Sequence, residues 1–274
     1  IYCKDLENAK EISLKIHEKI YEEIRKLGRE YVSIYNITKK FFEENKSFIL
    51  KLLSIEKKPV LINFVPEGRF YWVINVEYTI IDELNRPREI ATFQIDVGNS
   101  KRFGIHYIDE KGEKVYPPII HTALIGTIER YLFTLLDSAS KKEAKGLKPS
   151  LPLWLSPIQV RLIPINQSYF AEALSIAEKL KAASVRVDID DREDTVPKKV
   201  LLAEKEWIPY ILVIGKKEVE IGKLTVRIRE EEKQRMMSIE ELIAEIKNKT
   251  KSYPFKPSTL PMLLSKKPVY KMVK

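Results

Sequence analysis

The chain has 274 residues and a mass of 32.0 kDa, with 44% hydrophobic and 32% charged residues, a formal charge of +9 and a pI near 9.3. This composition excludes collagen-like, low-complexity and disordered chains, and the length fits one large domain or two medium ones. The positive excess points to an anionic partner. The single cysteine, Cys3, excludes an internal disulfide framework and a cysteine-only metal cluster, and a reducing, cytoplasmic setting fits it. No run of eighteen apolar residues and no apolar leader is present, so neither a membrane span nor a secretory signal is expected. Abundant Lys and Glu with few Cys and Met resemble a thermophile's surface composition. Residue 1 is isoleucine rather than methionine, as expected of a fragment or a processed product.

In chain order, residues 7–27 carry Ile12, Ile16, Ile20 and Ile24 at i, i+4 spacing, which predicts an amphipathic helix closed by Gly28. A second helix is expected over 36–54, with Asn36 as its cap. The period then changes. Residues 71–80 are β-branched and aromatic, Asn85-Arg86-Pro87 marks a turn, and 88–97 and 102–107 read as further strands of an antiparallel sheet. An apolar helix is expected over 119–138. Residues 139–150 are polar with Lys, Gly and Pro, and read as a linker. Beyond it, strands at 158–163, 184–188 and 210–214 alternate with helices at 168–182 and 196–207. A hairpin over 217–229 and a helix over 238–248 complete a compact α/β region.

Charge is unevenly spread. Residues 151–274 hold 23 Lys/Arg against 17 Asp/Glu, and the first 150 residues hold 25 against 22. Residues 247–274 contain eight lysines, four prolines and no acid. Such a tail cannot form a core of its own; it is either solvated or lies along a neighbouring domain or a phosphate backbone.

The segment Ile119-Ile120-His121-Thr122-Ala123-Leu124-Ile125-Gly126-Thr127-Ile128-Glu129-Arg130-Tyr131 resembles motif 3 of the class II aminoacyl-tRNA synthetases. Gly126, Glu129 and Arg130 alone are a weak signal. They are preceded by Gln94-Ile95-Asp96 and by Tyr116-Pro117-Pro118-Ile119-Ile120-His121. They are followed by Leu151-Pro152-Leu153-Trp154-Leu155-Ser156-Pro157-Ile158-Gln159-Val160. This ordered set spans nearly the whole chain and is similar to threonyl-tRNA synthetases of archaeal type. The second half resembles the anticodon-binding domain shared by the histidyl, glycyl, threonyl and prolyl enzymes.

The resemblance implies an α+β catalytic-like region with an antiparallel sheet over residues 1–146, an α/β anticodon-binding domain with a mixed sheet over 152–249, and a basic tail over 250–274. It places Arg130 at the phosphates of ATP, with Thr127 one turn earlier. Gln94 falls in the amino-acid pocket and Tyr71 at the substrate amino group, and Glu89 falls where relatives hold an ATP-contacting glutamine. Fixed arginines neutralise phosphate charge, which is the chemistry adenylate formation needs. His121 matches the last of three zinc ligands; the other two have no counterpart. ATP, magnesium and zinc are therefore expected of a full ligase, and no cofactor of this chain alone. Glu220 and Arg229 match positions that read anticodon bases, and Arg227 and Lys199 go with them. Unstacked bases expose edges to such side chains. Pro197-Lys198-Lys199-Val200-Leu201 departs from the family's Gly-Lys-Lys-Ile-Arg, so the arginine contact at Leu201 is in doubt. On the residues alone, Arg130 reads first as a salt-bridged helix residue; Gln94 and Tyr71 can be ordinary sheet residues, and the hairpin a solvated face. His17 and His106 are expected at the surface.

Motifs 1 and 2 find no match, so the chain alone is not expected to aminoacylate. The expectation is a portion that binds threonine tRNA and supports editing, the deacylation of seryl-tRNA(Thr), through a domain upstream of Ile1. The alternatives are a fragment of a threonine–tRNA ligase and an accessory subunit that docks a catalytic partner or a second copy.

Overall fold

The structure is a computed structural model that describes residues 1–231 and 233–268. The chain divides into two compact units, Ile1–Lys141 and Lys142–Lys274. The first is an α+β unit built on an antiparallel-rich sheet, and the second is an α/β unit on a mixed sheet.

Unit 1 opens with α1 (Leu6–Leu27), capped by Asp5, whose carboxylate accepts from the Asn8 amide at 2.8 Å, and closed by Gly28 at φ 63°. Ile16, Ile20 and Ile24 are buried. Then follow β1 (Val32–Thr38), α2 (Lys39–Glu44), α3 (Lys46–Glu56), β2 (Leu61–Val65), β3 (Trp72–Ile81) and β4 (Pro87–Asp96). After these come α4 (Asn99–Arg102), the small pair β5 (Tyr107–Ile108) and β6 (Lys114–Val115), β7 (Ile119–Ala123) and α5 (Ile128–Ala144). The strand order is β2-β1-β3-β4-β7, with β2 parallel to β1 and every other pair antiparallel.

Several expectations are corrected here. Residues 32–38 are a strand rather than a helix start, because Ser33, Tyr35 and Ile37 alternate inward. Thr38, not Asn36, caps the following helix by accepting from the Phe41 amide. Residues 119–123 are also a strand, and the helix begins only at Ile128, after a turn in which Gly126 has φ 73°. Residues 99–102 are a helical turn where a strand was expected to begin, and α5 runs to Ala144 through the start of the expected linker. His17 is fully buried rather than exposed. Its Nε2 donates to the Leu52 carbonyl at 3.0 Å, and its Nδ1 accepts from the Tyr78 hydroxyl. Burial holds this imidazole neutral and lowers its pKa to about 4.

Unit 2 contains β8 (Val160–Pro164), a 3₁₀ turn at Gln167–Tyr169, α6 (Phe170–Ala182), β9 (Val187–Ile189), α7 (Val196–Lys205), β10 (Tyr210–Ile214), α8 (Lys216–Ile221), β11 (Leu224–Ile228), β12 (Arg235–Met237) and α9 (Ile239–Thr250). The order is β12-β11-β10-β8-β9; β9, β8 and β10 are parallel, and β11 and β12 antiparallel. α6 and α9 cover one face through Ala173, Leu180, Leu242 and Ile246. α7 covers the other, where Ala203 meets Ile163 and Ile211. The expected hairpin at 217–229 is instead α8, ended by Gly222 at φ 69°, followed by β11. The true hairpin is β11–β12.

The basic tail is not merely solvated. The Ile189 amide donates to the Met262 carbonyl at 2.9 Å, Leu263 bridges Ile189 in parallel, and Leu264 is buried. The segment covers the β9 edge. Residues 269–274 of that tail lie outside the described residues.

Candidate functional site

The register of the first sheet assembles a row of polar side chains. Asn63 pairs with Asn36, Asn36 with Asn75, Asn75 with Gln94, and Gln94 with His121. One residue from each of the five strands thus lies across the sheet. The neighbours Ile74, Val76, Phe93, Ile95 and Ile120 point into the core with α1 and α3. Alternation therefore puts the polar row on the opposite face. The row is wired together. Asn63 Nδ2 donates to Asn36 Oδ1 at 2.8 Å, and Asn36 and Asn75 both donate to Glu77 Oε1, at 3.0 and 2.8 Å. Thr92 Oγ1 donates to Asn75 Oδ1 at 3.0 Å. At the end nearest β7, the Tyr71 hydroxyl donates to Gln94 Oε1 at 2.9 Å, and the Tyr71 ring meets His121 edge-on with centroids 5.8 Å apart. Tyr71, Gln94 and His121, singled out in the sequence, are thus brought together.

His121 Nε2 is bonded to Asp96 Oδ2 at 2.8 Å. Burial pushes the Asp96 carboxyl up, but the Asn99 and Gly98 amides, His121 and the Asn99 side chain outweigh it, leaving the pKa below the ordinary carboxylate value. Among the described residues no group of three His, Cys, Asp or Glu side chains converges as metal ligands. His121 with Asp96 does not by itself fit a zinc site.

The turn from β7 into α5 fixes Arg130. A Cβ on Gly126 would lie 3.0 Å from Arg130 Cγ, 3.1 Å from its Cβ and 3.2 Å from the Ile90 carbonyl, and φ is 73°. Only glycine fits both the backbone and the space, so the Arg130 stem packs directly on the turn. Thr127 Oγ1 accepts from the Arg130 amide at 3.2 Å and begins the helix. Glu89 sits above the ordinary carboxylate value: crowding by surrounding atoms and the charge of Glu77 raise it, while Thr92 and Arg130 pull the other way.

In unit 2 the expected residues divide between the two ends of the parallel strands. At the carboxyl ends of β8 and β9 lies a cleft of about 360 Å³ lined by Asn166, Gln167, Asp191, Arg192, Glu193 and Lys199, among others. Crevices at the carboxyl ends of parallel strands are the usual ligand sites of such sheets. Arg192 is held by Asp190 through two bonds of 2.9 and 2.7 Å. Lys199 is buried, and its Nζ donates to the Asp190 carbonyl at 3.1 Å. Glu220 is exposed on α8, which leaves the same end of the sheet through β10, and it pairs loosely with Lys216 at 3.6 Å. Arg227 and Arg229 lie at the other end, since β11 runs antiparallel to β10. Arg227 pairs with Glu204 at 3.2 Å. Arg229 is not presented to a ligand as expected. It is 8% exposed, and it donates to the Pro149 carbonyl at 2.5 Å and the Glu204 carbonyl at 2.7 Å. Its guanidinium braces the segment before β8 against the end of α7.

Asn36, Asn63, Asn75, Glu77 and Thr92 were not foreseen. The signal was present: Asn75 and Glu77 interrupt an apolar strand at alternate positions, as do Thr92 and Gln94 in the next. Arg192 and Asn166 carried no signal of their own, since only the fold brings the two strand ends together.

Residues 159–249 match the family described as an anticodon binding domain, and the cleft lies within that stretch. Over this stretch unit 2 is similar to the anticodon-binding domains of aminoacyl-tRNA synthetases. The chain as a whole is 57% identical over 270 residues to a threonine–tRNA ligase of Thermofilum pendens, covering 98% of this chain and 44% of that protein. It is 51% identical over 268 residues to that of Pyrobaculum calidifontis, with the same coverages. The chain is a relative of the threonyl-tRNA synthetases, as its motif order indicates, and spans less than half the length of these curated relatives. Two solved structures share its fold. The RNA binding domain of threonyl-tRNA synthetase from Cryptosporidium parvum Iowa II matches with a TM-score of 0.75 at 24% identity, over 94% of this chain and 63% of that one. A putative threonyl-tRNA synthetase from Aeropyrum pernix matches with a TM-score of 0.64 at 19% identity, over 92% and 64%. Among the described residues no helix is long and apolar enough to cross a membrane.

Proposed function

We propose that this chain is the tRNA-engaging portion of a threonyl-tRNA synthetase, and that unit 2 holds the anticodon loop of threonine tRNA at the carboxyl ends of β8 and β9. The observation that carries this reading is the strand-end cleft within the anticodon-binding match. Its mixture of Arg192, Asn166, Gln167 and carboxylates suits the edges of splayed bases, which present both donors and acceptors. Unit 1 contributes the floor of an amino-acid and ATP site. Tyr71 and Gln94 orient the amino acid on the polar row, and Arg130 neutralises phosphate charge. The parent protein then acts as a ligase of threonine to its tRNA, in the cytoplasm. Convergence of Tyr71, Gln94 and His121, together with relatives named as ligases, favours this over an editing subunit that deacylates seryl-tRNA(Thr).

The test is filter binding of threonine tRNA against a second tRNA at one fixed salt concentration. The chain is expected to prefer threonine tRNA, and Arg192→Ala is expected to reduce that preference about tenfold, as loss of a single base contact does. Equal affinity for both tRNAs, or an unchanged preference in Arg192→Ala, would count against the cleft. Deacylation of seryl-tRNA(Thr) by the full-length parent, with no threonylation, would favour the editing reading.

A further inference from the structure

At the amino ends of the parallel strands of unit 2, opposite the cleft described above, lies a second concavity of about 320 Å³. The start of β8, the last turns of α6 and α9, and residues 253–255 form its walls. Lys247 and Lys251 stand exposed on its rim. Trp154 and Tyr253 stack with centroids 4.7 Å apart and planes 7° from parallel. Phe255 is 48% exposed, and its ring centroid lies 5.9 Å from Arg186 Cζ. Among the described residues no carboxylate side chain lines this concavity.

Arg186 is the group that needs explaining. It is 9% exposed, and its donors go to main-chain carbonyls: Nε to Ser156 at 2.9 Å, Nη2 to Trp154 at 2.7 Å, Nη1 to Lys256 at 3.3 Å. Among the described residues no ion pair joins Arg186, Lys247 or Lys251 to an acid. Lys249, between those two lysines in sequence, is neutralised by Glu245 at 2.8 Å. The negative ends of two helices account for lysines in their last turns. They do not account for a buried guanidinium without a counter-charge, or for three aromatic rings beside it. Cations interleaved with aromatic rings are what single-stranded nucleic acids bind: phosphate on the charges, base on a ring face.

We propose that this cleft holds one unstacked nucleotide of a single-stranded RNA segment, with its phosphate between Lys247 and Lys251 in the field of Arg186 and its base on the open face of Phe255. The site is separate from the anticodon cleft. β8 alone, five residues long, sets the two ends about 16 Å apart at about 3.3 Å per residue. The inference rests on the chain being an RNA binder, but not on the cleft that contains Arg192.

The experiment is a fluorescence titration of the full chain with a tetrauridylate oligonucleotide at several salt concentrations. Trp154 lies in the cleft, Trp72 in unit 1 and Trp207 beyond α7, so Trp154→Phe identifies the reporter. The oligonucleotide is expected to quench the wild-type signal but not that of Trp154→Phe. The Lys247→Ala/Lys251→Ala variant is expected to bind about tenfold more weakly. Its salt slope is expected to be shallower by about 0.7, the value for one phosphate neutralised on a single strand. Phe255→Ala is expected to weaken binding at least about fivefold. Arg192→Ala leaves the quenching unchanged. Quenching retained in Trp154→Phe would overturn the proposal. So would an unchanged affinity and slope in the double lysine variant, or equal displacement by a polyglutamate peptide. Failure here with Arg192-dependent tRNA preference intact would leave the anticodon reading standing, and the reverse result would leave only this site.

Discussion

The two sheets of this chain solve the same covering problem in different ways. In unit 1, α1 and α3 cover one face of an antiparallel-rich sheet, and the other face carries the row Asn63, Asn36, Asn75, Gln94 and His121. In unit 2, helices cover both faces of a mixed sheet, so interior charges on its strands have no solvent to meet and must meet one another. Arg161 on β8 is 1% exposed and binds Asp188 through two bonds of 2.9 Å, with Glu206 at 2.7 Å and Lys267 on Asp188 at 2.5 Å. A half-covered sheet can place its ligand groups on a face, at every second residue. A fully covered sheet must place them at the ends of its strands. Buried ion pairs within the strands of unit 2 therefore signal architecture, and polar residues within the strands of unit 1 mark a candidate site.

This contrast can be broken most severely at Arg161. Arg161→Met removes the main partner of a fully buried carboxylate, and about 3–5 kcal/mol of stability should be lost in urea denaturation of the full chain. The double variant Arg161→Met/Asp188→Leu should recover at least half of that, because replacing a buried pair with apolar groups costs far less than breaking it. A loss below about 1 kcal/mol in the single variant would mean that the pair is not buried in solution.

In unit 1 the corresponding probe is His17. Its folded pKa, about 4, lies below the ordinary value of 6.5, so the unfolded chain binds the extra proton first. The neutral imidazole's contribution is fully present above pH 6.5 and is lost as pH falls toward 4. The loss should approach about 3 kcal/mol, at about 1.4 kcal/mol for each pH unit between the two values. The difference in denaturation free energy between pH 7 and pH 4, measured against a His17→Asn variant, isolates this histidine. Identical pH dependence in both proteins would place it at the surface after all.

The smallest expected effect sharpens the site itself. Gly126→Ala should cost about 1–2 kcal/mol through the unfavourable φ. It should also push the Arg130 stem off the turn, since the new Cβ would meet it at 3.0 Å. Thermal denaturation reads the first effect. ATP binding by the full-length parent, expected to weaken more than in a comparably destabilised control such as Leu52→Val, reads the second.

Much of this architecture could be read from residues alone, and the failures share a cause. The Ile stripe of α1 was legible because 22 residues show one period with a cap at each end. The run Ile119–Ile125 reads as helix because a short apolar stretch suits a helix and a strand equally well. What decides it is the pairing of β7 with β4, a long-range fact. Residues 32–38 merge with the next helix in the sequence for the same reason, with Thr38 as the overlooked cap. His17 looks like a surface residue because nothing local shows that Tyr78, 61 residues away, waits for its Nδ1. At the site, Tyr71, Gln94 and His121 were legible through resemblance, but the asparagines beside them required the register. Arg229 marks the limit of carrying a residue over by position: its side chain bonds two carbonyls here, and sequence spacing does not disclose that.

The tail that closes the β9 edge sets an order of events during synthesis. Asp188 emerges from the ribosome 79 residues before Lys267, and Ile189 emerges 74 residues before its partner Leu263. At about 5–20 residues per second, this carboxylate and strand edge wait several seconds for the segment that covers them. Unit 1, whose strands all lie before residue 124, can complete its sheet in that interval. Nascent chains arrested before Met262 should therefore carry a finished first unit and an open-edged second one, the state in which the protein is most exposed to strand-pairing errors with its neighbours.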